Sequence, residues 1–275
     1  MDIIDKEYES IIPTATTVLY PLIFTDVPLA KETFEFLESK KKTEYLPDKN
    51  LAVEIEARRK LINKLLANEN VTQVLELAGG FSSRGFEFCK NKEARFIEID
   101  LPQVAELKRK CLVRLKYSMP NWKILDGNAL NNYDFCEKYF DKNKKVAVIN
   151  EGLLRYLTFE EKSVIAGNVK KLLQKYGGVW ITCDFTPGKF VQNQDKNLKD
   201  LNKSLSALTD RNNLPRFKDV KHVKTWLGER GFVAEVHDFI EAAPLLTSPQ
   251  ILGISKEKAA QFLTDAIVCV IRLKE

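Results

Sequence analysis

Short apolar runs alternate with amphipathic stretches along most of this chain. Val74-Leu75-Glu76-Leu77-Ala78, Arg95 to Ile99, Trp122 to Leu125, Lys145 to Asn150 and Val179 to Cys183 are runs of strand length. Between them, apolar residues recur at spacings of three and four. Val104, Leu107, Cys111 and Leu115 do so after Pro102, a residue suited to a first helical position. Thr158 and Glu161 form a capping box that predicts a helix to about Tyr176, ended by Gly177-Gly178. Further on, Lys218 to Arg230 reads as a helix, with strands at Phe232 to His237 and Ala266 to Arg272. Strands alternating with amphipathic helices predict an α/β fold with a mainly parallel, doubly wound sheet.

Residues 1–68 precede the first core strand and read as helical, broken by Pro13, Pro21 and Pro28. Leu61, Ile62, Leu65 and Leu66 give a helix over about 54–67 an apolar face. This segment is either a helical cap over the carboxyl edge of the sheet or a layer packed on its back. Residues 69–275 form the core domain, joined to it as one unit. The polar segment 185–215 is either a lid over the site or a long surface connection.

The run from Val71 to Asp100 carries the first chemical signal. A strand is broken by Gly79 and Gly80, a helix follows Ser82-Ser83-Arg84-Gly85, and a second strand delivers Asp100. Glycine lets a backbone approach a ligand closely, and an acid about 20 residues on can accept from ribose hydroxyls. A phosphate loop fails, because Phe86 and Glu87 stand where Lys and Ser or Thr are required. The dinucleotide pattern of three spaced glycines is also missing from Ala78-Gly79-Gly80-Phe81-Ser82-Ser83, which weighs against a dehydrogenase. S-adenosylmethionine has the ribose but no pyrophosphate to demand that pattern. Taken alone, the segment leaves an ordinary strand-turn-helix open.

Four further pieces narrow the choice: LELAGGFSSRG (75–85), FIEIDLP (96–102), ILDGNAL (124–130) and NEGLLRYLT (150–158). In order and spacing they resemble the leucine carboxyl methyltransferase family, including bacterial polyketide O-methyltransferase-like members. PTATTVLYPLIFTDVP (13–28) is similar to the amino-terminal segment of those bacterial members. The resemblance covers roughly residues 10–185. It implies a class I methyltransferase fold with an antiparallel closing strand, and S-adenosyl-L-methionine as cofactor. It also implies a cofactor site of Arg58, Ala78, Gly79, Gly80, Asp100, Asn128, Ala129 and Glu151. In that assignment Asn128 and Ala129 hold the adenine and Glu151 accepts from the ammonium group. Arg58, or its neighbour Arg59, faces the cofactor carboxylate, with Arg84 as a second candidate. Asn128 stands where family members often carry an acid, although an amide oxygen can accept the same hydrogen bond. Ala78 and Ile23-Phe24 are further departures.

Composition excludes several classes. No apolar run approaches the roughly 18–20 residues needed to span a bilayer, and MDIIDKEYES does not read as a signal peptide. Five scattered cysteines without a C-x-x-C pair, with only two histidines, suggest reduced thiols in a cytoplasm and no zinc site. The 43 basic and 38 acidic residues are largely interspersed, with lysine clusters only at 40–42 and 142–145. Such short runs read as solvated surface, so nucleic acid is not the expected partner.

The histidine shortage bears on the acceptor. A hydroxyl profits from a general base, whereas a carboxylate is already ionised at neutral pH. His222 and His237 read as structural. That shortage agrees with what the resemblance implies, an O-methyltransferase acting on the carboxylate of a small metabolite or of a protein C-terminus, with Tyr20, Arg155 and Tyr156 as candidates for the acceptor pocket. The alternatives are a nucleic-acid or amine methyltransferase and a cofactor-binding protein without catalysis. The Asn/Asp-Pro-Pro-aromatic and Pro-Cys motifs of nucleic-acid enzymes are absent.

Overall fold

A computed structural model describes residues 15–40, 46–185, 187, 216–264 and 266–275. Seven strands form one sheet in the order β3-β2-β1-β4-β5-β7-β6. They are β1 (Gln73–Leu77), β2 (Arg95–Asp100), β3 (Trp122–Asp126), β4 (Val146–Asn150), β5 (Gly178–Thr182), β6 (Phe232–Asp238) and β7 (Ile267–Leu273). The first five pair in parallel, and β7 runs antiparallel to both β5 and β6. The strand order reverses beside β1: β2 and β3 lie on one side of it, β4 and β5 on the other. That switch point leaves a crevice at the carboxyl ends of β1 and β4.

Two apolar layers sandwich the sheet because strand side chains alternate between its faces. Val74, Phe96, Ile149 and Ile181 meet helix Ala52–Asn68 through Leu61, Ile62, Leu65 and Leu66, together with Val104 and Leu107 of helix Pro102–Arg114. Leu75, Leu77, Val148 and Trp180 meet helices Phe159–Tyr176 and Val220–Glu229 through Ile165, Val169, Val223 and Leu227. β1 and β4 are buried at every position, which their near-continuous apolar runs require. The capping box at the head of Phe159–Tyr176 is formed. Thr158 Oγ1 accepts from Glu161 N at 3.2 Å, and the Glu161 carboxylate accepts from Thr158 N at 2.8 Å.

Helix Ala52–Asn68 lies on a face of the sheet, while its residue Arg58 reaches β4's carboxyl end. Ahead of it, the helical residues 15–22 contribute Leu19 and Leu22 to the same core, and helix Ala30–Lys40 contributes Leu37. The segment 185–215, read as a lid or connection, lies outside the described residues except for Phe185 and Pro187.

Candidate functional site

At the end of β1 the backbone turns through Ala78 and Gly80, both left-handed with φ of 51°. Glycine takes that conformation freely; alanine does so at a cost of about 1–2 kcal/mol. Asp100, at the end of the neighbouring β2, stabilises the turn. Its Oδ2 accepts from Gly80 N at 2.7 Å and its Oδ1 from Leu101 N at 2.8 Å. Burial pushes the Asp100 carboxyl up, against the lowering effect of those two amides. Each oxygen keeps a lone pair for another donor. A side chain added at Gly80 would meet nothing within 4 Å, so this backbone faces open space.

Glu151 follows β4 across the crevice. Its two oxygens accept from Arg58 Nε and Arg84 Nη2, both at 2.7 Å. Burial alone would raise this carboxyl, but the two guanidiniums outweigh it and hold it at about 2. Arg58 therefore meets Glu151 directly. Arg59, one position on, turns to the loop instead, donating to Ser82 Oγ at 3.2 Å and Ser83 Oγ at 3.1 Å and pairing with Glu87. Arg84 is not a surface residue. It is 1% exposed, and its donors are committed to Asn63 Oδ1 at 2.7 Å, to Glu76 and to Glu151.

A buried ionic layer supports the turn from below. Glu76 and Glu98 are register partners on adjacent strands, both 1% exposed. Like charges there would repel, and each has its own cation: Arg84 for Glu76, Lys108 for Glu98. Trp122 Nε1 also donates to Glu98 Oε1 at 2.7 Å. Burial, with Glu76 adding to it, still pushes Glu98 up to about 7 despite Lys108.

Behind Glu151 the chain is pinned by Asp184. This buried carboxylate accepts from Gly152 N, Leu153 N and Leu154 N at 2.7, 2.7 and 2.9 Å, and from Asn150 Nδ2 at 2.7 Å. The following turn, Leu154–Tyr156, carries Arg155 and Tyr156. Arg155 Nε lies 4.0 Å from Asp184 Oδ1 and is buried without a hydrogen bond. Burial pushes the Tyr156 hydroxyl up. Tyr20 packs its ring on Phe24 and Phe34, with centroids 5.4 and 5.6 Å apart. Beyond β3, Asn128 is exposed and caps its own turn, its Oδ1 accepting from Leu130 N at 2.9 Å. Ala129 is buried, and its carbonyl accepts from Tyr133 Oη at 3.0 Å.

A family model for leucine carboxyl methyltransferases matches residues 18–170 of the 275. The chain belongs to the leucine carboxyl methyltransferase family. Its fold is similar to that of human N-acetylserotonin methyltransferase in complex with S-adenosylmethionine: 10% identity over 91% of this chain and 59% of that one, with a TM-score of 0.54. It is similar too to an O-methyltransferase family protein from Burkholderia thailandensis, with 13% identity, 88% and 62% covered and a TM-score of 0.53. The third is magnesium protoporphyrin IX methyltransferase from Synechocystis PCC 6803 with bound S-adenosylhomocysteine, with 13% identity, 88% and 94% covered and a TM-score of 0.50. At such identities the likeness speaks for the fold, which is that of class I S-adenosylmethionine-dependent methyltransferases. The chain spans about six-tenths of the length of the first solved structures it matches. No curated protein matches it.

Every candidate from Tyr20 to Tyr156 lies inside the span matched by the leucine carboxyl methyltransferase family. Asp184, beyond that span, was legible only as the polar end of a strand. Glu54 went unnoticed: it is buried one helical turn before Arg58 and makes no hydrogen bond or ion pair among the described residues. Burial pushes its carboxyl up, while Arg58 and Arg155 pull it down. Leu101 and Phe135 were missed as well. These large apolar side chains are 44% and 38% exposed; Leu101 follows Asp100, and Phe135 touches the Gly127 turn. An apolar residue placed directly after the strand-ending acid was the signal available for Leu101.

Proposed function

We propose that this member of the leucine carboxyl methyltransferase family is an S-adenosylmethionine-dependent O-methyltransferase that methylates a carboxylate of a small molecule. The observation carrying the reading is the pairing, at one sheet edge, of Asp100 on the glycine turn with an ionised Glu151 held by Arg58. In this reading Asp100 accepts from the ribose hydroxyls through its free lone pairs, and Leu101 and Phe135 flank the adenine with the Asn128-Ala129 turn. The Arg58–Glu151 pair offers a cation to the cofactor's carboxylate and an anion to its ammonium. When bound, S-adenosylmethionine supplies a methyl group already activated on a sulfonium. The protein's share of the work is then to orient the acceptor and exclude water.

An anionic acceptor is supported by Arg155, whose buried Nε lacks a hydrogen bond. Arg216 lies close enough that, after burial, Arg155 is the main influence lowering its pKa. Two neighbouring guanidiniums suit an ionised carboxylate. Residues 15–40 would close the site as a cap.

The cofactor test is calorimetry of S-adenosylhomocysteine with Asp100→Ala. Losing acceptors at a charged group should weaken binding by about 2–4 kcal/mol. Unchanged affinity in a folded variant would remove Asp100 from the site. The acceptor test uses radioactive cofactor and a metabolite extract, followed by mild alkali. A methyl ester releases volatile labelled methanol; label retained in the product excludes the ester in favour of an ether or amine.

A further inference from the structure

An open cleft of about 430 Å³ lies at the amino edge of the sheet, between the segments entering β2, β3 and β4. From Arg95 to Asp100, β2 spans roughly 17 Å at about 3.3 Å per residue, so the cleft is remote from the candidate methyltransferase site. Its lining holds five cations, Lys92, Arg95, Lys123, Lys138 and Lys144, against a single acid, Glu93. The whole chain, by contrast, carries 43 basic and 38 acidic residues.

None of these five cations has a carboxylate within ion-pair distance among the described residues. Lys60, Lys110 and Lys175 elsewhere each face one. Lys138 instead lies 5.1 Å over the Tyr139 ring. Gathering like charges without counter-charges is unfavourable, and a multivalent anion would relieve it.

The walls are held in place by side chains that act as clamps. Asn121 Nδ2 donates to the carbonyls of Cys89, Asn91 and Ala94 at 3.2, 3.2 and 2.9 Å, fixing the loop that bears Lys92. Buried Gln73 donates to the carbonyls of Asp141 and Lys144 at 3.0 and 2.7 Å and accepts from Asp141 N at 2.9 Å, fixing the loop that ends at Lys144. Arg95 Nη1 donates to the Tyr139 carbonyl at 3.2 Å and ties in the third wall. Positions set in this way reduce the ordering cost of binding. The lysine ammoniums act as point charges spread over three segments. That suits several phosphate groups better than one planar carboxylate, which an arginine fork would grip. A volume near 430 Å³ is that of a small-molecule site.

We propose that this amino-edge cleft binds a small ligand carrying two or more phosphate groups. Calorimetry with inorganic tripolyphosphate at low ionic strength is expected to show a single site. Lys92→Ser, Lys123→Ser and Lys144→Ser together should weaken it roughly tenfold to thirtyfold, at about two- to threefold per exposed charge. A control triple, Lys31→Ser, Lys110→Ser and Lys256→Ser, should leave it unchanged. Absence of binding, equal affinity in the cleft variant, or an equal loss in the control would each overturn the proposal. Tighter binding of a single-stranded RNA oligonucleotide through the same lysines would overturn it in favour of a polynucleotide surface. Should the cleft triple fail to fold, Lys123→Ser alone carries the test, with an expected loss of about two- to threefold. Binding of S-adenosylhomocysteine is a separate readout, so failure of the methyltransferase reading would leave this result intact.

Discussion

Glu151→Gln removes one charge from a buried cluster at nearly constant shape. Arg84 retains Glu76 as a partner, whereas Arg58 is left with Glu54 and Asp184 at longer range. The Glu151 side chain is only 16% exposed, so solvent screens the pair little. A carboxyl lowered from 4.5 to about 2 has its charged form stabilised by about 3 kcal/mol. Breaking a buried pair by deleting one partner typically costs ~3–5 kcal/mol, which agrees. The folded-state pKa lies below the unfolded one. The stabilisation is therefore complete above about pH 4.5 and is lost as the pH falls toward 2. Urea denaturation should find the variant about 3 kcal/mol less stable at pH 7, with the gap reduced to about half at pH 3. A gap under about 1 kcal/mol at pH 7, or one that does not narrow on acidification, would refute the assigned role of the two guanidiniums.

Asp184→Ala should destabilise the fold by at least about 3 kcal/mol, since four donors lose their acceptor. Asp184→Asn keeps one oxygen and should cost less; equal losses for the two would show that the amides are not the cause. Gly85→Ala drives a methyl into the Trp122 indole. It should cost about 1–3 kcal/mol and perturb near-ultraviolet dichroism, and an unchanged spectrum would count against the contact. Ala78→Gly relieves a left-handed alanine worth about 1–2 kcal/mol while adding about 0.4–1 kcal/mol of unfolded-chain entropy. Stability should hold or rise by up to about 1.5 kcal/mol; a loss as large as Ala→Gly usually causes would contradict the strain.

Local patterns in the amino acids determined the order and kind of the elements. β1 to β5, the helix launched by Pro102 and the helix capped by Thr158 and Glu161 arise within a few residues of the signals that mark them. Asp100 was legible for the same reason, as an acid ending a strand one helix after a glycine turn. What local pattern could not express is which distant side chains meet. Arg58 and Arg59 are adjacent on one helix, and a rotation of about 100° per residue sends one to Glu151 and the other to Ser82 and Ser83. Arg84, the second candidate for the cofactor carboxylate in sequence, is buried because Glu76 and Glu151 arrive from two separate strands. Asp184 serves the Gly152 to Leu154 amides only because β4 and β5 lie side by side. The basic cleft gathers lysines from three segments between residues 92 and 144 that only the parallel sheet brings to one edge. Hydrophobic periodicity specifies which face of an element is buried; packing the elements together decides which charges those faces carry into contact.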